Sequence, residues 1–257
     1  MLEALAEETA EEVAERRSQV SLLEIQRLAQ AGPAVRDFTS ALRLQHLAVI
    51  AEVKASSPSG GRIVAGPYEP GRLAAAYQAG GAAAISVLCQ KTSFGGDPEH
   101  LRAVRRSCSL PILRKDFVID AYQVYEARAL GADAVLLIVA LLSFEQLQSL
   151  VYLASALGIA ALVEAHTEAE VALALQAGAL AIGVNNRDLR TLRVDTSVAA
   201  GLRRLVPPDV VYVAESGISS SSVAAELRAA GADAILVGEA LLRSPDPGAL
   251  IAELSVI

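Results

Sequence analysis

A short pattern, Gly-Ala-x-Ala followed by an apolar run, occurs four times along the 257 residues of this chain. The copies are Gly81-Ala82-Ala83-Ala84, Gly131-Ala132-Asp133-Ala134, Gly178-Ala179-Leu180-Ala181 and Gly231-Ala232-Asp233-Ala234, spaced about every 50 residues. A glycine after a helical stretch and before an apolar run reads as a helix terminus feeding a buried strand. Four further apolar runs fall between the copies: Ala48 to Val53, Pro111 to Leu113, Ala160 to Val163, and Val210 to Ala214. Helical stretches separate them, among them Ala121 to Leu130, Glu168 to Gln176 and Ser221 to Ala230. Eight apolar strands alternating with helices predict a parallel sheet, and eight parallel strands close into a (β/α)8 barrel of the TIM type. An open doubly wound sheet is the alternative, but the Gly-rich fingerprint expected after its first strand is missing.

Residues 1–46 precede the first strand. Their helical pattern, Leu2 to Arg17 and then Ser21 to Gln30, predicts an extension packed on the barrel, so that 1–257 is expected to be one domain. Hydrophobic residues make up 53% of the chain and aromatics 4%, with no Trp, so Ala, Val, Leu and Ile must fill the core. A net charge of −7 argues against nucleic acid or an anionic membrane as partner. The most apolar run, Ala134 to Phe144, is too short to span a bilayer. Glu3, Glu7, Glu8, Glu11 and Glu12 do not read as a secretory signal, and Cys89 and Cys108 form no disulfide framework. A cytoplasmic protein is expected; its oligomeric state is not legible, and a monomer is compatible with everything above.

Reactive groups in such a barrel sit at the carboxyl ends of the strands. The first strand ends Glu52-Val53-Lys54, the third Arg114-Lys115-Asp116, the fifth on Glu164, the sixth on Asn185, and the seventh on Glu215-Ser216-Gly217. Ionisable side chains inside an apolar barrel cost several kcal/mol unless paired, so a set of them at one rim indicates chemistry. Lysine usage sharpens the point. Of 22 basic residues only Lys54, Lys91 and Lys115 are Lys. Two fall at strand ends, and Lys91 falls in the loop after the second strand. Arg cannot release its proton near neutral pH, whereas a desolvated Lys can.

Gly217-Ile218-Ser219 and Gly238-Glu239-Ala240 follow the last two strands, where barrels of this type commonly bind phosphate. His46 falls at the opposite rim and His100 in a helix. His166 lies two residues beyond Glu164, within reach of the site, but a place on the loop surface is the favoured reading. No His, Cys and carboxylate cluster has metal-ligand spacing, and neither Ser57 nor Ser216 has a His–Asp partner, so no metal, cofactor or nucleophilic triad is expected.

Five segments in order carry a resemblance: Ala51-Glu52-Val53-Lys54-Ala55-Ser56-Ser57-Pro58-Ser59, Leu113-Arg114-Lys115-Asp116-Phe117, Leu162-Val163-Glu164-Ala165-His166, Gly183-Val184-Asn185-Asn186-Arg187-Asp188-Leu189, and Ala214-Glu215-Ser216-Gly217-Ile218. They resemble the successive strand-end motifs of the indole-3-glycerol phosphate synthases along essentially the whole chain. The resemblance implies a cofactor-free lyase of tryptophan biosynthesis acting on a small phosphorylated substrate, 1-(2-carboxyphenylamino)-1-deoxyribulose 5-phosphate. It implies Lys115 as the general acid of ring closure, and Glu52, Lys54 and Glu164 as the proton-transfer groups of dehydration, in an order left open. Asn185, Glu215 and Ser216 would orient and hydrogen-bond. Arg187 would meet the substrate carboxylate, Phe94, Phe117 and Leu136 would wall the aromatic ring, Leu236 would also contact the substrate, and Ser57, Gly217, Gly238 and Lys54 would lie at the phosphate. The chain departs from the family pattern at Ala55 and Gly60, where basic residues are usual and Arg62 is the nearest substitute. It departs again in the loop Cys89 to Phe94, and at Glu239, where some members place Ser. Two other readings compete: a catalytically weakened paralogue holding a phosphorylated ligand, and another phosphate-binding barrel such as phosphoribosylanthranilate isomerase.

Overall fold

The computed structural model describes residues 2–57, 61–62, 68–92, 94–188 and 191–255. Eight parallel strands close into a barrel: β1 (Ala48–Val53), β2 (Ala84–Leu88), β3 (Ile112–Lys115), β4 (Ala134–Ile138), β5 (Ala160–Ala165), β6 (Ala181–Asn185), β7 (Val211–Glu215) and β8 (Ala234–Val237), with β8 pairing back onto β1. Strands three, five and seven run one or two residues further than their apolar runs predict, taking in Arg114 and Lys115, Glu164 and Ala165, and Glu215.

The repeat has a physical cause. Gly81, Gly131, Gly178 and Gly231 all have φ between 87° and 99°, a left-handed turn that an L side chain rarely adopts. Around Gly81 and Gly178 a Cβ would meet nothing within 4 Å, so it is the backbone angle and not crowding that requires glycine there. The last alanine of each copy (Ala84, Ala134, Ala181 and Ala234) points into the barrel interior, in one apolar cluster with Phe38 and Leu42 from the extension. The two copies that carry Asp use it alike. Asp133 accepts the Ile112 N–H at 2.9 Å and Asp233 accepts the Tyr212 N–H at 2.8 Å, each tying an even strand to the odd strand before it.

Side chains alternate across the barrel wall. Ile50, Leu113, Leu136, Leu162 and Val213 fill the lumen, while Val49, Ile85, Ile112, Val135 and Ile235 pack outward against the helices. Before the barrel come α1 (Leu2–Gln19), α2 (Leu22–Gln30) and α3 (Phe38–Ala41). Those outside it include α4 (Pro70–Ala79), α5 (Glu99–Ser107), α6 (Ala121–Leu130), α7 (Phe144–Ala156), α8 (Glu168–Gln176), α9 (Ser197–Leu202), α10 (Ser221–Ala229), α11 (Glu239–Arg243) and α12 (Pro247–Ser255). Tyr122 of α6 donates to the carbonyls of Arg16 and Val20, and Arg16 pairs with Glu126 at 3.0 Å, so the amino-terminal helices are fastened to α6.

Candidate active site in the barrel mouth

Arg114, Lys115 and Asp116 are consecutive, and strand alternation separates their fates. Lys115 points into the lumen. Arg114 points outward and is fully buried behind the wall, paired with Asp116 at 2.9 Å and with Glu126 at 2.8 Å. Arg114 was expected among the rim charges; it is instead a structural ion pair linking β3 to α6.

Lys115 sits among carboxylates. Its Nζ lies 3.1 Å from Glu164 Oε2 and 3.5 Å from Glu215 Oε2. Burial works against its charge, but Glu164, Glu215 and Glu52 outweigh that and raise its pKa, so the ligand-free site keeps an ammonium. The carboxylates are set apart from one another. Burial pushes Glu164 up, yet Lys115, His166 and the Asn185 amide reverse the effect and hold it below the usual carboxylate range. Glu215 is pushed up to about 8, by burial first and then by its neighbours Glu164 and Glu52 against the pull of Lys115. Glu52, also buried, is brought down by Lys54, whose Nζ lies 2.7 Å from its Oε1, and by Lys115. One wall thus carries an ammonium donor, an ionised carboxylate acceptor and a carboxyl poised near neutrality.

Asn185 orients this array. Its Oδ1 accepts the Arg187 N–H at 3.0 Å, which turns Nδ2 toward Glu164 Oε1 at 3.2 Å. Arg187 extends from the rim, where its guanidinium donates to the Leu192 carbonyl. Ser216 and Gly217 both take left-handed backbone, with φ of 65° and 77°. A non-glycine residue in that region costs of order 1–3 kcal/mol and persists only where its surroundings impose it. The buried Asn186 supplies part of that constraint, donating to the Ser216 carbonyl at 3.1 Å and accepting the Ala199 N–H at 2.9 Å.

A cavity of about 410 Å³ unites these groups. Glu52, Lys54, Lys115, Glu164, Asn185, Glu215 and Ser216 line it, as do Phe94, Phe117, Leu136, Arg187, Gly217, Leu236 and Gly238. The rings of Phe94 and Phe117 lie 6.0 Å apart, centroid to centroid, on one apolar side. On another side Ile218, Ser219, Glu239, Ala240 and Arg243 border Gly217 and Gly238, and Arg243 pairs with Glu239 at 2.9 Å. A Cβ on Gly238 would come 2.4 Å from Glu52 Oε1 and 3.0 Å from Lys54 Nζ, so a bare backbone is required there. Of the sequence-based candidates, the Ser57 side chain lies outside the described residues, together with Gly60 and the side chain of Arg62. Lys91 is exposed and is not among the cavity's lining residues.

Three residues that the sequence did not single out prove to shape the site, and a fourth that it did stands elsewhere than expected. Leu5 of α1 reaches the cavity wall, a contact no local pattern announces. Gly183 leaves room for Glu215, whose Oε1 would lie 2.2 Å from a Cβ at that position; a glycine inside a strand pattern is the signal that could have found it. Asn186 is the third. The fourth corrects the expectation for His166, which is not a loop-surface residue. Its imidazole is wedged between Glu164 and Glu170, with only 15% of the side chain exposed. Among the described residues, no group of three or more His, Cys, Asp or Glu side chains could hold a metal ion.

Comparison with known proteins bears on the fold and the family. Over 81% of the chain the fold superposes on N-acetylmannosamine-6-phosphate 2-epimerase from Clostridium perfringens, covering 93% of that protein at 18% identity with a TM-score of 0.63. For 3-hexulose-6-phosphate synthase from Salmonella typhimurium the figures are 82%, 97%, 15% and 0.65. At these identities the likeness concerns the barrel alone. Sequence relatives are nearer. Indole-3-glycerol phosphate synthase 2 of Streptomyces coelicolor is 50% identical across 98% of this chain and 97% of its own length. Indole-3-glycerol phosphate synthase of Mycolicibacterium gilvum is 47% identical across 99% of this chain and 93% of its own length. Residues 2–254 match the family of indole-3-glycerol phosphate synthases, and it is to that family that this chain belongs.

Proposed function

We propose that this protein is the carboxy-lyase of tryptophan biosynthesis that converts 1-(2-carboxyphenylamino)-1-deoxyribulose 5-phosphate into indole-3-glycerol phosphate, CO2 and water. The observation that carries the reading is the Lys115 ammonium, held 3.1 Å from Glu164 and 3.5 Å from Glu215 at the base of a cavity with an apolar side. Ring closure joins the carboxylate-bearing ring carbon to the ketone carbon, and the ketone oxygen needs a proton as its charge develops. Lys115 gives that proton. The bond to CO2 then breaks and returns its electrons to the ring. Dehydration removes a proton from the carbon beside nitrogen, taken by Glu164, while hydroxide leaves with a proton from Lys54 or the neutral carboxyl of Glu215.

Phe94, Phe117, Leu136 and Leu236 wall the aromatic ring, Arg187 meets the substrate carboxylate, and Lys54, Ser57, Gly217 and Gly238 hold the phosphate. Asn185 keeps Glu164 turned toward Lys115, and Ser216 contributes a hydroxyl at the rim. The helices of 1–46 serve as part of the barrel unit, contributing Leu5. We further propose a monomer working in the cytoplasm. Two buried free cysteines fit a reducing compartment, and no helix among the described residues is long and apolar enough to cross a membrane.

Incubating the purified protein with this substrate and following indole fluorescence tests the proposal. Steady formation of a fluorescent product is expected. Tight binding of the substrate with no product would identify a ligand-holding paralogue instead.

A further inference from the structure

One face of α1 meets the apolar side of the cavity. Leu5, Thr9, Glu12 and Arg16 recur every three or four residues, so they share a single stripe of the helix. Leu5 lines the cavity, and both Leu5 and Phe94 pack against the cluster that contains Phe117. The two phenyl walls are each fastened to this stripe. On the Phe94 side, Glu12 Oε1 accepts the Thr92 hydroxyl at 2.9 Å and the Thr92 backbone N–H at 3.3 Å. On the Phe117 side, Arg16 lies 3.0 Å from Glu126, Glu126 lies 2.8 Å from Arg114, and Arg114 lies 2.9 Å from Asp116. Asp116 Oδ1 in turn accepts the Phe117 N–H at 2.9 Å. Arg16 also stands 3.6 Å from Glu12, which joins the two halves.

The two ties differ in kind. Arg114 and Glu126 are buried behind the barrel wall and belong to its packing. Thr92 is exposed, in the loop Cys89 to Phe94 where this chain departs from its family's pattern. That loop closes on itself at Gln90, whose carbonyl accepts the Gly96 N–H at 2.8 Å and whose side chain accepts the Phe94 N–H at 3.1 Å. Closure at Gln90 sets the shape of the turn. The bond from Thr92 to Glu12 sets where the turn stands relative to α1, two residues before Phe94.

We propose that Glu12 is a positioning residue: through Thr92 it holds Phe94 opposite Phe117, and so sets how tightly the cavity grips the aromatic ring of the substrate. The inference rests on the ring-wall role given above to Phe94. The phenyl rings already stand 6.0 Å apart, centroid to centroid, in the ligand-free site. A wall in place before the ring arrives spares the cost of ordering it on binding, so the tie acts on affinity and leaves the proton transfers at Lys115 and Glu164 alone. Loss of the Glu12 carboxylate frees the Phe94 side only, because Arg16 still holds Glu126 and the pairs behind it.

Hydrogen exchange on the ligand-free protein tests the tie itself. Amides of the loop after β2 should exchange about threefold to tenfold faster in Glu12→Ala, while those of β3 and α6 keep the wild-type rate. Unchanged loop exchange overturns the proposal, whether or not the protein turns over. Kinetics test the consequence. Glu12→Ala and Thr92→Val should each raise KM about threefold to tenfold, the scale of one net hydrogen bond, with kcat and Tm near the wild-type values. Glu12→Gln keeps an acceptor oxygen and Thr92→Ser keeps the hydroxyl, so each should return KM most of the way. The double variant should be little worse than Glu12→Ala, since both changes remove the same contact. Glu11→Ala, on an exposed neighbour, is the control and should alter neither exchange nor KM. An unchanged KM, a loss confined to kcat, or additive effects in the double variant would each refute positioning through Thr92. A KM loss matched by a lower Tm would do so too, since that marks a structural role. If the wild-type protein binds the substrate without turning it over, the proposed reaction falls, and Kd from calorimetry takes the place of KM in the same comparison.

Discussion

Replacing Lys115 by Arg separates the two things its ammonium supplies, a charge and a removable proton. The charge is needed where it stands: Glu164 and Glu215 lie within 3.5 Å of Nζ, and Lys115 draws both toward ionisation. A guanidinium preserves that charge, so Lys115→Arg should fold and melt near the wild-type temperature. It does not release a proton at neutral pH, so kcat should fall by about 10²-fold to 10⁴-fold, or about 3–5 kcal/mol of barrier. Lys115→Met removes the charge as well. Breaking one partner out of a buried pair costs about 3–5 kcal/mol, which for a protein of this size lowers Tm by roughly 6–20 °C. That deficit depends on pH. Lys115 helps hold the Glu164 pKa below its ordinary value, a contribution present above the unfolded pKa and lost as pH falls through the folded one, so the Tm gap should narrow toward acid. Stopped-flow fluorescence at saturating substrate and calorimetry from pH 4 to about pH 8 give both quantities. Lys91→Arg, on an exposed side chain, is the control and should change neither. Near-normal turnover by Lys115→Arg would refute proton donation by this residue and leave Lys54 as the acid.

Three further outcomes follow from the geometry. Gly183→Ala places a methyl 2.2 Å from Glu215 Oε1, so Glu215 must swing off Lys115; kcat should drop about tenfold or more while the Tm changes by a few degrees, and an unchanged rate would show that the position of Glu215 is immaterial. With its pKa raised to about 8, Glu215 holds a proton in the folded state that the unfolded chain has lost, so its contribution to stability falls as pH rises from the carboxylate range through about 8. Glu215→Gln should therefore melt increasingly above wild type between pH 5 and pH 8 while losing activity, and a Tm difference that ignores pH would contradict the assignment. Arg187→Ala should raise KM, the loss of a charged hydrogen bond being about 1.5–3 kcal/mol, with kcat little altered; the reverse pattern would move Arg187 from binding to chemistry.

The periodic features of this protein were legible without coordinates because they are local. A left-handed glycine, an inward alanine and a short apolar run recur wherever a helix hands over to an even strand, and the backbone angle that requires glycine is a property of a few adjacent residues. Strand ends are equally local, so every polar residue placed at the mouth of the barrel from β1, β5, β6 and β7 lies in the cavity wall. On β3 the same reasoning reached Lys115 and stopped at its neighbour. Which side of the wall each residue faces follows from alternation, but that Arg114 finds Glu126 waiting behind it depends on where α6 packs. His166, two residues past Glu164, carried no sign of burial, because its surroundings come from α8 and β7 and from the partners that fold over it. The spread of carboxyl pKa values has the same origin. Glu52, Glu164 and Glu215 are alike in sequence, and it is burial together with the lysines and carboxylates that the closure of the barrel brings beside each that makes two of them anions and the third a neutral acid near pH 7.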